Sequence, residues 1–197
     1  HPRVRRQRQM CIRDRYEICR FGFQQGLTIV LNILTTMIIG IVIGELRFSI
    51  LFMVLYVPLR SNAGGYHAHT AVQCYIYSIF MMIAILFAMK YLIIPSFICI
   101  IILVVSCVII WIFAPVEDTN KILDNIELIV YRRRTRQIMV LEVVLFILSS
   151  MFNKYEFSQC IMLVFFVMAM ILFAGKFKNS IICLLYTSPS PRDRTRS

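Results

Sequence analysis

YLIIPSFICIIILVVSCVIIWIFA, residues 91–114, runs without one charged side chain. A helix needs about 20 apolar residues to cross the hydrocarbon of a bilayer, with roughly 17–25 usual. This stretch meets that requirement and reads as a membrane span. Working outward, 22–44 fits as well, and 72–89 and 157–174 fit at the short end. Two further runs, 46–59 and 138–152, are shorter, so they are expected to tilt, thin the bilayer or re-enter without crossing. The 59% hydrophobic content exceeds the usual share in soluble domains. A bilayer accounts for it, because apolar surface there needs no water-excluding core. The expected fold is all-α: a polytopic membrane helical bundle of about six hydrophobic helices, four full spans plus two short or re-entrant ones.

The net charge of +11 is concentrated at the ends. Residues 1–15 and 186–197 together supply +7 of it. A nucleic-acid-binding module would carry its basic face on the folded core, so nucleic acid is excluded as a partner. Residues 10–15 and 185–194 resemble translated sequencing-adapter sequence. Non-native ends are set aside from fold reasoning. The domain reading is therefore a non-native tail over 1–15, one integral membrane domain over 16–183 truncated at both ends, and a second non-native tail over 184–197. The seven cysteines form no CxxC pair and no disulfide framework. Cys99, Cys107 and Cys160 sit in apolar runs, where Cys behaves as a small hydrophobe.

Lys and Arg near the span ends orient the bundle. If all six runs cross, one side receives Arg20, Arg60, Lys121, Arg132, Arg133, Arg134, Arg136, Lys176 and Lys178, and the other only Arg47, Lys90 and Lys154. The richer side is expected to be cytoplasmic. It carries the loop after Arg60, the Pro115–Gln137 loop and both ends.

One polar interruption carries a catalytic inventory: Arg60-Ser61-Asn62-Ala63-Gly64-Gly65-Tyr66-His67-Ala68-His69-Thr70-Ala71-Val72-Gln73-Cys74. Gly64-Gly65 breaks helix and permits a turn. Thr70-Ala71-Val72-Gln73 reads as a capping box that opens a helix, which puts Cys74 in the first turn. The positive end of a helix dipole favours thiolates, and hydrocarbon disfavours them, so Cys74 is expected at the wet end. His67 and Cys74 are seven residues apart. On one straight helix that is about 10.5 Å of rise, too far for contact. A glycine-hinged, non-helical loop would let His67 fold back onto the sulfur. His69 is a rival base. His67, His69 and Cys74 together could also hold a catalytic zinc.

These residues resemble the accessory gene regulator B family: Arg60, Gly64-Gly65-Tyr66-His67-Ala68, and Cys74 seven beyond the His. A second stretch resembles that family's next cytoplasmic loop, with Ala114-Pro115-Val116-Glu117, Asn120-Lys121 and Tyr131-Arg132-Arg133-Arg134. The resemblance implies a Gram-positive quorum-sensing cysteine endopeptidase in the cell membrane. Its partner would be a small peptide pheromone precursor, cut at the cytoplasmic face. It assigns Cys74 as nucleophile and His67 as general base, with Arg60 and Gly65 in the motif. Gln24, or Gln25, matches a functional Gln near the first membrane helix and is an oxyanion candidate. The resemblance also implies cyclisation of the product to a thiolactone or lactone, where the residues alone support only cleavage. No cofactor or metal is expected on this reading. His69, Asp118-Thr119 and Ile122-Leu123 depart from the family pattern and bear on precursor specificity.

The run Arg132-Arg133-Arg134-Thr135-Arg136 has two readings. It anchors the chain to anionic membrane lipids, or it holds an acidic part of the precursor. Glu142 lies in a short apolar run, where a charge is costly and usually paired, so an ion pair with this run or with Arg60 is expected. A homo-oligomer is compatible with the sequence. The alternative to a peptidase is a non-enzymatic transporter or peptide-export subunit.

Overall fold

The computed structural model describes residues 23, 26–27, 29–65, 70–116 and 125–187, without the side chains of 71, 125 and 178–187. Among them the fold is six helices and no strand: α1 (Ile29–Ile43), α2 (Leu46–Ala63), α3 (Ala71–Tyr91), α4 (Ser96–Phe113), α5 (Asn125–Met151) and α6 (Tyr155–Thr187). Three of them are long and apolar enough to cross a membrane, over Val72–Tyr91, Ser96–Phe113 and Tyr155–Phe177. The shorter α1 is also apolar. α2 and α5 carry charges along with their apolar runs, which is why hydropathy made them look short.

Helix α6 is the centre of the bundle. Over half of its span is buried (56%), against 17% for α3 and 22% for α4. It packs most extensively against α4, and also against α2 and α5. Phe165, Met168 and Leu172 of α6 meet a core that includes Phe52 and Leu59 of α2 and Ile110 of α4. The outer faces stay apolar, with Val54, Phe80, Val104 and Phe173 all exposed. A soluble domain rarely exposes so continuous an apolar surface, whereas in a bilayer it meets lipid.

Small residues set the close approaches. A Cβ on Gly40 would lie 2.7 Å from the Ser49 Cβ, so glycine lets α1 and α2 touch. Ser49 Oγ then donates to the Thr36 carbonyl at 3.0 Å.

The helices extend further than their apolar runs. Arg60–Ala63, expected in a loop, complete α2. Ser61 and Asn62 donate from their side chains to the Val57 and Pro58 carbonyls, the local bonding that short polar side chains favour. The expected Pro115–Gln137 loop also shortens, because residues 125–137 are helical. No Gly or Pro interrupts 125–151, and Leu, Glu and Arg propagate helix well. At 27 residues α5 is about 40 Å long and outreaches a hydrocarbon layer of about 30 Å. The Arg run is therefore helical. Tyr91 closes α3 instead of opening α4, and Pro95 occupies the N-cap of α4.

The two ends of the bundle differ. At one end Lys90 Nζ donates to the Ile43 carbonyl, Gln159 Nε2 donates to the Leu92 carbonyl, and Arg47 pairs with Glu156 at 3.2 Å. At the other end the backbone leaving α2 meets the backbone leaving α4. Val116 N–H donates to the Ala63 carbonyl at 3.1 Å, and Gly65 N–H to the Val116 carbonyl at 3.4 Å, a lone parallel bridge. The two polar connections expected on one side do share an end.

Candidate active site

The start of α3 follows the capping pattern. Thr70 has extended backbone, and its side chain accepts the Gln73 N–H at 3.3 Å. The Thr70 carbonyl accepts the Cys74 N–H at 3.1 Å. Cys74 is thus the first residue of α3 whose N–H is taken up by the helical ladder, one turn from the helix start. It is half-buried, and Ser78 Oγ donates to its carbonyl at 3.0 Å.

Cys74 opens onto a cavity of about 310 Å³ between three helices. α2 contributes Tyr56 and Arg60, α3 adds Tyr77 and Met81, and α6 closes it with Met170 and Ile171. The lining is mainly apolar, with the thiol and the guanidinium as its reactive and charged groups.

Arg60 is fixed from two directions. Its Nη1 donates to the Gly64 carbonyl, and its guanidinium hydrogen-bonds the Tyr56 hydroxyl, one helical turn earlier. The Tyr56 ring stacks on Phe52 at 5.1 Å between centroids, and Phe52 is fully buried. A core aromatic therefore positions the phenol, and the phenol positions the guanidinium.

Gly65 sits against this pair. Its φ of +117° belongs to glycine, and a Cβ there would stand 2.7 Å from Arg60 Nη1 and 2.9 Å from Ile171 Cγ2. The residue leaves room for the guanidinium at the cavity wall. Arg60, Gly65 and Cys74, the described residues of the motif that carried the family resemblance, lie together at this cavity.

The match that settles the family is now in context: the model of accessory gene regulator B aligns with residues 3–187, nearly the full chain. The chain belongs to the accessory gene regulator B family. Comparison with curated proteins gave no match, and comparison with solved structures gave none either. Accessory gene regulator B membership places the chain in peptide processing for quorum sensing, in keeping with a membrane helical bundle.

The remaining expected residues divide into two groups. His67, His69, Gln24 and Gln25 lie outside the described residues. Arg132, Arg133 and Arg136 line a separate cleft between α4 and α5, whereas Arg134 does not. Glu142 corrects an expectation. It is only 2% exposed, and among the described residues it has no ion pair with the Arg run or Arg60, its Oε2 lacking any hydrogen-bond partner. It lies on α5 two turns or nearly so past the Arg run, and only the fold shows how completely the bundle closes over it.

Sequence reasoning missed Tyr56, Met81, Met170 and Ile171. Tyr56 had a signal, since it precedes Arg60 by one helical turn once α2 is known to continue past Leu59. The α6 residues had none, because nothing local ties them to a cysteine nearly a hundred positions earlier.

Proposed function

We propose that the chain is a membrane cysteine endopeptidase that cleaves the C-terminal part from a small peptide pheromone precursor, with Cys74 as nucleophile and His67 as general base. The observation that carries this reading is the setting of Cys74: one turn into α3, on an apolar cavity whose wall holds the Arg60 guanidinium. Chain connectivity supports His67 as the base. Gly65 lies beside the cavity and Thr70 caps the helix that bears Cys74, so His67 belongs to a four-residue link tethered at both ends near the sulfur.

The chemistry is acyl transfer. His67 takes the proton from the Cys74 thiol, and the thiolate attacks the scissile carbonyl carbon. Arg60, with five N–H donors, serves the developing oxyanion as well as its structural acceptors, and Gln24 is a second donor candidate. Protonated His67 gives its proton to the leaving amine, and the C-terminal fragment departs. The peptide remains on Cys74 as a thioester. A thiol or hydroxyl of the precursor then attacks that carbonyl, releasing the Cys74 thiol and a cyclic thiolactone or lactone. The apolar walls from Met81, Met170 and Ile171 suit an apolar side chain next to the cut bond. The asymmetry of Lys and Arg supports a multi-pass placement in the bacterial cell membrane, with this end of the bundle in the cytoplasm.

The test is coexpression with the peptide product of a neighbouring short gene, followed by mass measurement of precursor and products. Cys74→Ala abolishes cleavage, and His67→Ala lowers it by about 10²-fold or more, while a chelator leaves it intact. His69→Ala retains activity. Cleavage that persists in Cys74→Ala refutes the peptidase, and loss on chelation points to a metal hydrolase instead.

A further inference from the structure

The cleft between α4 and α5 is a second built site. It measures about 600 Å³ and lies away from the Cys74 cavity, sharing none of its lining residues. Its charged wall is Arg132, Arg133 and Arg136, and its opposite wall is Trp111 of α4. The Arg136 guanidinium carbon stands 4.0 Å from the centre of the Trp111 ring, a cation–π contact that locks helix to helix. Arg136 Nε is buried without a hydrogen-bond partner.

Two features of this arrangement call for an anion. Arg132 and Arg136 are one turn apart on the same helix, a spacing at which like charges repel. Among the described residues no carboxylate pairs with Arg132, Arg133 or Arg136. The level of the cleft indicates which anion. Trp111 lies two residues from the end of the uncharged α4, and Val140 lies near the start of the apolar part of α5. Tryptophan at the end of an apolar span marks the boundary between hydrocarbon and water. A ligand here must carry negative charge at that boundary and apolar chains below it.

We infer that this cleft binds the phosphate headgroup of an anionic phospholipid, with Arg132, Arg133 and Arg136 on the phosphate and Trp111 and Val140 along the start of the acyl chains. Basic pockets between membrane helices are suited to such headgroups. Arg134 takes no part, being roughly 200° round the helix from Arg132. The site rests on the bundle lying in a bilayer and is independent of the peptidase reading.

Trp111 is the single tryptophan of the chain, so its emission reports on the cleft alone. The experiment titrates phosphatidylglycerol into the full chain held in neutral detergent micelles and follows that emission. A saturable change is expected with phosphatidylglycerol and none with phosphatidylcholine or glycerol 3-phosphate. Arg132→Gln and Arg133→Gln each raise the midpoint about 5-fold, and Arg134→Gln leaves it unchanged. Arg132→Lys, which retains the charge, recovers most of the affinity and separates lost binding from misfolding. An equal response to phosphatidylcholine, or Arg variants that titrate like the parent, overturns the site. A tighter response to a soluble acidic peptide reassigns the cleft to a protein ligand and overturns it as well.

Discussion

At the scale of single residues, the Arg60 guanidinium at the cavity wall has its position set by its neighbours. Gly65→Ala puts a methyl group 2.7 Å from Arg60 Nη1 at a φ of +117°. If Arg60 serves the oxyanion as proposed, precursor cleavage is expected to fall at least about 10-fold, since an ångström of misplacement can cost up to about 100-fold. The amount of protein in the membrane should stay close to normal. Tyr56→Phe keeps the ring on Phe52 and removes only the hydroxyl that bonds Arg60. A hydrogen bond to a charged group contributes about 1.5–3 kcal/mol, so kcat should drop roughly 10- to 100-fold with KM little changed. A KM effect alone would assign Tyr56 to precursor binding instead of to positioning.

At the scale of elements, the helix that carries Cys74 starts where a side chain says it should. Thr70 satisfies the Gln73 N–H, and an N-cap of this kind contributes about 1 kcal/mol. Thr70→Ala should fray the first turn of α3 and move Cys74. Thr70→Ser or Thr70→Asp should keep both helix start and cleavage, and hydrogen exchange at residues 71–74 distinguishes the variants. The far end of the bundle makes a contrast. The Arg47–Glu156 pair is well exposed on both sides, and exposed pairs contribute about 0–1 kcal/mol. Arg47→Ala should leave thermal stability in detergent nearly unchanged.

At the scale of the whole molecule, α6 holds the bundle together and also closes the site. Phe165 is fully buried on that helix, and truncating such a residue typically costs about 3–5 kcal/mol. Phe165→Ala should therefore lower the unfolding temperature of the solubilised protein markedly. Ile93→Ala should not, because Ile93 is 97% exposed on the outer surface. One helix thus joins the core to the candidate site: Val164, Phe165 and Met168 anchor it in the core, while Met170 and Ile171, a turn further on, line the cavity beside Cys74.

Local chemistry determined much of this protein without any fold. Uncharged runs long enough for a bilayer marked helices of the bundle, Gly64-Gly65 and Thr70 set the break and restart around Cys74, and the family resemblance of the Arg60–Cys74 stretch pointed to the candidate site. Each is a property of neighbouring residues, so the chain carries it in order. Helix ends were less legible. Arg60–Ala63 and residues 125–137 continue as helix because backbone hydrogen bonding outlasts hydrophobicity, and hydropathy measures only the latter. Tertiary structure alone decided which helices face one another. The cavity wall from α6, the Trp111–Arg136 contact and the closed surroundings of Glu142 join residues far apart in sequence. Packing of that kind depends on the shapes of all the helices at once, and no local pattern records it.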